Sequence, residues 1–414
     1  SNTVEKITEL ITAGMDVARI NMGHGNHESH KKLINNIRTA SKNAGKQIAV
    51  LIDLQGPKIR IGNLKESLIL ESGSEWYIGA SKLQKKYPQY ANNFIPTVYE
   101  NLVNDCQDGC QILFDDGKII GRAISKENNL YKIKIEIGGE LKSKKGINLP
   151  DVEVTATSFT AQDEDDLMFG LEAGIDYIAL SFVRKKDDVQ KIKLLLHKLK
   201  VRMPIISKVE NAQGLENIEE IIDVSDGVMV ARGDMGVELG NHLVPSAQKT
   251  IINLCNKKRI PVITATQMLE SMIENSTPTR AEASDVANAV WDGTDAVMLS
   301  GESASGKYPV QTIEMMSKIV VEAEKTPKER APLKSLDLSS ITAANMLAAT
   351  LISEKVYAKA IVSVTQFGNS CSKIAGARPL VPVLGITSSM TTLRKMSLYW
   401  GVIPFFSRSG NKFD

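Results

Sequence analysis

The chain has 414 residues, 43% hydrophobic and 24% charged, with a formal net charge of +2. That is enough for about three globular domains, each with a full core. The near-even charge balance, with no long basic run, sets nucleic acid aside as a partner, and no apolar run approaches the ~20 residues that a membrane span needs.

The four cysteines are Cys106, Cys110, Cys255 and Cys371. Only the first two are close together, and no second Cys/His pair at zinc-finger spacing follows them. So few thiols in a chain of this size point to a reducing, cytoplasmic setting.

In chain order, an amphipathic helix is predicted over Val4–Ala13, closed by Gly14. A short strand at Val17–Asn21 brings Arg19, Asn21 and His24 to its end, and a second helix runs over Ser29–Asn43. His24, His27 and His30 have a spacing that invites a metal, but without an acidic or Cys companion they read better as a partly solvated helix start. The next strand, Ile48–Leu54, runs into D-L-Q-G-P-K-I-R-I-G.

From Pro57 to about Val154 the helical period gives way to β signals. Tyr131–Gly139 alternates, placing Ile133, Ile135 and Ile137 on one face, and Ile112–Ile120 reads as a hairpin turning at Asp116-Gly117. A β domain inserted in one βα connection far exceeds the ~2–6 residues such loops need. At the end of a strand that carries polar residues, it is placed to act as a lid.

The βα rhythm then resumes. A capping box at Thr160–Asp163 precedes the helix Glu164–Glu172. Strands follow at Tyr177–Phe182, Pro204–Val209, Gly227–Ala231, Pro261–Thr266 and Ala296–Ser300. Arg19, Asp53, Ser181, Lys208, Asp234, Thr266 and Glu302 follow nearly every strand. In an open sheet such residues cluster at one switch point. Contributions from all round favour a TIM (β/α)8 barrel. Only seven barrel strands are found, so an eighth is expected before Ser1.

The richest stretch is Met203–Gly236. Lys208 and Glu210, two apart on a strand, point the same way, and Arg232-Gly233-Asp234 ends the neighbouring strand. Either half alone reads as a strand-end ion pair. Together they bring an ammonium and two carboxylates to one spot, a donor set that suits Mg2+ and a migrating phosphoryl group.

A polar, Pro-bearing stretch, Lys325–Leu336, leads to a third unit of alternating helices and strands, a small doubly wound α/β domain. Within it Thr365–Ser370 joins a strand to a helix start, where a phosphate is as well accommodated as an ordinary polar loop. The expected division is 1–56 with 155–327 for the barrel, 57–154 for the β lid domain and 328–414 for an incomplete C-terminal α/β domain.

The motifs V-A-R-I-N-M-G-H-G, D-L-Q-G-P-K-I-R, K-K-G-I-N-L-P, I-I-S-K-V-E-N, M-V-A-R-G-D-M-G-V-E, T-A-T-Q-M-L-E-S-M and P-T-R-A-E occur in this order along nearly the whole chain. In this the chain resembles the pyruvate kinases, whose fold is a TIM barrel with an inserted small β-barrel lid and a C-terminal α/β effector domain.

The resemblance implies transfer of the phosphoryl group of phosphoenolpyruvate to ADP, giving pyruvate and ATP. Lys208 would stabilise the phosphoryl group in flight. Glu210 and Asp234 would hold Mg2+, or Mn2+ in its place. Thr266, with the amides near Gly233 and Asp234, would bind the substrate carboxylate and lie near the enolate, and Arg19 would reach the phosphate. Asn21, His24, Arg60 and Lys145 would lie toward the nucleotide.

The resemblance further implies a homotetramer and an effector domain at the C-terminus, in which the Thr365–Ser370 loop is a place where a phosphorylated effector could sit. It also suggests that the first barrel strand and the last C-terminal strands lie outside this chain. Many of these kinases hold K+ with an Asn, a Ser, an Asp and a Thr. Here Asn21 and Asp53 stand, but Gly23 and Leu54 replace the other two, and Lys58 replaces a glutamate. Activity without K+ is therefore expected, with the Lys58 ammonium in place of the ion beside Asn21 and Asp53.

Overall fold

A computed structural model describes residues 2–150, 152–326 and 340–408. Its first unit is a TIM-barrel-like α/β domain. Seven parallel strands pair in the order Val17–Asn21, Ala49–Asp53, Tyr177–Leu180, Ile205–Val209, Gly227–Ala231, Val262–Ala265 and Ala296–Met298. The helices between them begin where their caps dictate. Thr3 accepts from Lys6 N, and reciprocal capping boxes start the helices at Asn26, Thr160 and Thr279.

Side chains alternate along each strand, and the alternation divides the core in two. Val50, Ile52, Ile178, Leu180 and Ile205 join Ile20, Ile34 and Ile37 beneath the helices. Ala49, Leu51, Tyr177, Ala179, Ile206, Met229, Ile263 and Ala265 fill the interior.

Among the described residues the sheet has seven strands. Its end strands, Val17–Asn21 and Ala296–Met298, do not pair with each other, and between them lies a cavity of about 990 Å³ lined by Ile7, Leu10, Ile20, Val297 and Ile313 among others.

The inserted unit is a six-stranded sheet, with a further two-stranded pair at Leu68–Leu70 and Gly139–Leu141. Residues Arg60 and Ile61 bridge Gly146 beside one edge strand and Thr97 of the other, so the sheet curls back on itself. The hairpin turn lies at Asp115, Asp116 and Gly117, all with positive φ. One expected inward residue does not fit. Ile133 and Ile135 are fully buried but Ile137 is 52% exposed, because a register shift between Ile120 and Gly121 releases the end of the strand.

The third unit has three parallel strands, Ile361–Val364, Val383–Thr387 and Val402–Phe406. It closes the end of the barrel away from the polar strand ends. Leu398 joins the barrel interior, and Tyr177 Oη donates to Lys395 O at 2.7 Å. Fully buried Asp176 accepts from both Arg38 and Arg394 at 2.8 Å. The connecting stretch expected at Lys325–Leu336 lies, beyond Thr326, outside the described residues. Among those residues no helix is long and apolar enough to cross a membrane.

Candidate active site

The inward-facing series of four neighbouring strands changes from apolar to polar at the same end. Val17 is followed by Arg19, Leu51 by Asp53, Ala179 by Ser181, and Ile206 by Lys208 and Glu210. Two-residue periodicity therefore carries all five polar groups to one end of the barrel interior.

There they form one connected cluster. Lys208 Nζ lies 3.0 Å from Asp53 Oδ1 and 2.9 Å from Glu210 Oε1, and donates to Ser181 Oγ at 2.7 Å. Arg19 holds the other face of Asp53, with Nε at 2.7 Å and Nη2 at 2.6 Å from Oδ2. Ser181 Oγ in turn donates to Leu54 O at 2.7 Å. Asp53 and Glu210 are buried, and Lys208 is 8% exposed.

Burial opposes every charge in this group, and the neighbours decide the outcome. For Lys208, burial favours the neutral amine, but Asp53 and Glu210 outweigh it and hold the ammonium above its ordinary range. For Asp53, Lys208 and Arg19 outweigh burial and hold the carboxyl below its ordinary range. Glu210 is different. Burial, aided by the nearby charge of Asp234, exceeds the help from Lys208 and pushes it up to about 7.

Glu210 Oε2 accepts from Phe182 N at 2.6 Å, while buried Oε1 has no directed hydrogen bond despite the nearby ammonium. An under-satisfied hard oxygen, with the Asp234 carboxylate close enough to raise its pKa, is a donor set that fits a small divalent cation.

Asp234 lies in the first turn of the helix Arg232–Leu239 and is partly exposed. Lys58, from the root of the inserted unit, lies 3.4 Å from its Oδ1. Beside it Thr266 has φ +70, a strained value for a β-branched residue. Its hydroxyl accepts from Gly233 N at 2.8 Å and donates to Ala265 O at 2.7 Å. Arg232 fixes the bend from behind by donating to Thr266 O at 2.7 Å, and is itself paired with Asp285 at 2.8 Å.

Arg19, Lys208 and Glu210 are thus in direct contact with Asp53 or with one another, and Gly233 contacts Thr266. The remaining candidates lie apart from that cluster. Asn21 turns onto its own loop, Oδ1 accepting from Gly23 N at 3.0 Å, and His24 is exposed. On the inserted unit Arg60 donates to Lys144 O at 3.1 Å and Lys145 pairs with Asp115 at 2.8 Å.

Lys58 is expected beside Asn21 and Asp53, but its ion pairs among the described residues are with Asp234 and, at 3.9 Å, Asp116. Asp53 faces inward and already has Arg19 and Lys208 against it, whereas Lys58 stands across from Asp234. Glu302 braces its loop by accepting from Ser300 N at 2.7 Å.

Sequence reasoning missed Asp53 as the counter-ion of Lys208, Ser181 as an acceptor for the same ammonium, and Arg232–Asp285 as the brace behind Thr266. For the first two a signal existed. Leu51/Asp53 and Ala179/Ser181 repeat the spacing of Ile206/Lys208 on neighbouring strands.

Comparison with known proteins places these residues in a family. The profile described as pyruvate kinase, barrel domain, matches residues 1–313, and that described as pyruvate kinase, alpha/beta domain, matches residues 343–414. A pyruvate kinase of Staphylococcus aureus is 43% identical over 423 aligned positions, covering 100% of this chain and 71% of the relative. One of Staphylococcus saprophyticus is 44% identical over 414 positions, covering 98% and 69%.

The electrostatic account has a direct test. Removing the Asp53 charge withdraws a major support of the Lys208 ammonium, so Asp53→Asn is expected to lower the Lys208 pKa by about 1–3 pH units. Amine acylation followed against pH by mass spectrometry reads this out. An unchanged Lys208 profile would show that Asp53 does not set its charge.

Proposed function

The chain belongs to the pyruvate kinase family and is a phosphotransferase, and from that premise we propose how its residues perform the reaction. The phosphoryl group of phosphoenolpyruvate passes to ADP, with Mg2+ (or Mn2+) held by Glu210 and Asp234 and with no requirement for K+. The observation that carries this reading is Lys208. Its ammonium is buried at the polar end of the barrel and lies 2.9 Å from an under-satisfied carboxylate oxygen.

Such transfer is mostly positioning and charge neutralisation. Lys208 and Arg19 offer two fixed positive charges to the phosphoryl group, and their shared Asp53 prevents their mutual repulsion from displacing either. Bound Mg2+ would supply further charge neutralisation and orient the phosphate oxygens. Thr266 and the first amides of the helix, at Gly233 and Asp234, take the substrate carboxylate at a helix N-terminus, the carboxylate taking over the Gly233 amide from the Thr266 hydroxyl. The Thr266 hydroxyl serves on the face where the enolate is protonated.

Asn21, His24, Arg60 and Lys145 take the nucleotide side, with the inserted unit as the lid that brings Arg60 and Lys145 over it. Assembly is as a homotetramer. A phosphorylated effector binds at Thr365–Ser370, where Gly368 N donates to Thr365 Oγ1 at 2.9 Å and the helix Asn369–Gly376 begins.

The assay is ADP-dependent formation of pyruvate and ATP from phosphoenolpyruvate. Lys208→Met is expected to lower turnover by about 10²–10³ while phosphoenolpyruvate binding survives. Glu210→Gln and Asp234→Asn should each raise the Mg2+ needed for half-maximal rate by about tenfold or more. Near-normal turnover of Lys208→Met would remove the assignment.

Independence from K+ is supported by Gly23 and Leu54, which offer no side-chain oxygen, and by Lys58, which places a fixed positive charge at Asp234. Rates in tetramethylammonium chloride should match those in KCl at equal ionic strength. Lys58→Glu sets a second carboxylate beside Asp234, and its lowered activity should be partly recoverable with K+. Strong K+ activation of the unaltered chain would contradict this.

A further inference from the structure

Cys106 and Cys110 lie in the inserted unit, away from the barrel cluster. The short helix Leu102–Asp105 ends at Cys106, and the chain then turns through Gln107–Gly109, Gly109 having φ +86. Cys110 N donates back to Gln107 O at 3.1 Å, and the strand Gln111–Phe114 follows at once.

The turn is held from three directions. Asp105 accepts from Thr155 N and Thr155 Oγ1, each at 3.0 Å, Tyr131 Oη donates to Asp108 at 2.6 Å, and Arg122 donates to Gly109 O at 2.9 Å. The turn leaves both thiols on one apolar cluster, Cys106 within it and Cys110 half-buried against it. Cys255 and Cys371, by contrast, are fully buried in separate clusters.

We propose that Cys106 and Cys110 are a reversible redox pair, converted by a hydroperoxide to an intrachain disulfide that resets the strand leading to the site.

Cys110 is the attacking sulfur because it is the more accessible. Its thiol is lowered to about 6, first by the neighbouring Cys106 thiol and further by the Gln107 backbone and the Arg122 guanidinium, against burial and the charge of Asp108. Cys106 is pushed up by the neighbouring Cys110, by burial and by Asp105. Arg122 is also paired with Glu136.

In the first step the Cys110 thiolate forms an S–O bond as the peroxide O–O bond breaks, and the departing hydroxide takes a proton from solvent. In the second step the Cys106 sulfur attacks that sulfenic sulfur. The S–S bond forms, the S–O bond breaks, and the hydroxyl leaves as water with the Cys106 proton. Two thiols lose two electrons and hydrogen peroxide is reduced to two waters. A dithiol reductant reverses the change.

The strand that follows Cys110 ends at Phe114 and runs into Asp115 and Asp116, which pair with Lys145 at 2.8 Å and Lys58 at 3.9 Å. A change at its start is therefore passed to the lysines of the nucleotide side. This consequence rests on the nucleotide assignment above, whereas disulfide formation does not.

The test is to treat the full chain with hydrogen peroxide and map its thiols by differential alkylation and mass spectrometry. The expected result is a Cys106–Cys110 link, reversed by dithiothreitol, with Cys255 and Cys371 reactive only after denaturation. In Cys106→Ser, Cys110 should stop at a sulfenic acid that dimedone traps, while reduced activity is kept. Oxidation of Cys110 without the link in the unaltered chain, or links to other cysteines or other chains, would overturn the proposal. On the linked enzyme the KM for ADP should rise about threefold or more, with that for phosphoenolpyruvate unchanged. Identical ADP kinetics would overturn the coupling to the nucleotide side.

Discussion

The site depends on one constraint: Lys208 and Glu210 are charged groups placed where water is nearly absent. Removing such ions from water costs several kcal/mol each unless partners replace the lost hydration. Here Asp53 does most of the replacement, because it touches Lys208 on one oxygen and Arg19 on the other. Two cations and two carboxylates balance formally. Asp234 adds a negative charge that, among the described residues, Lys58 at 3.4 Å partly offsets. Burial, with the charge of Asp234 behind it, raises the pKa of Glu210, so its carboxylate is the least compensated of the group.

The barrel meets this constraint through strand geometry. Parallel strands bring their C-terminal ends together, and two-residue alternation sends alternate side chains into the interior. Apolar residues fill that interior below the site, and the C-terminal unit caps its far end with Leu398. The polar residues are consequently confined to the opposite end of the barrel. Strained backbone appears next to them, at Phe182 and Thr266, whose φ values are +53 and +70. Each is held by a directed bond, Phe182 N to Glu210 and Arg232 to Thr266 O. These bonds keep the site in register where loops would otherwise relax.

Much of this was legible in the sequence because it follows from short-range periodicity. Lys208 lies near the end of one strand and Glu210 directly after it, so two-residue alternation points them the same way, and they lie 2.9 Å apart. The inserted β unit was legible because alternation replaced helical period over a long stretch. The partnership of Asp53 with Lys208 was not, because it joins strands distant in sequence. A lone aspartate after a strand does not reveal which cation it faces. Lys58 shows the same limit. Its position at the root of the insertion was clear, but the choice of Asp234 over Asp53 depends on how that unit folds back over the barrel. The turn that brings two thiols together at Cys106 and Cys110 likewise depends on Tyr131 and Arg122, from strands later in the chain.

The central claim is that Asp53 acts on catalysis through Lys208. A double-mutant cycle on turnover, comparing the unaltered chain with Asp53→Asn, Lys208→Met and the double variant, measures that link most directly. The expected result is strong non-additivity: Asp53→Asn costs much less once Lys208 is gone, with a coupling energy of about 1–3 kcal/mol. Strictly additive losses would contradict the account.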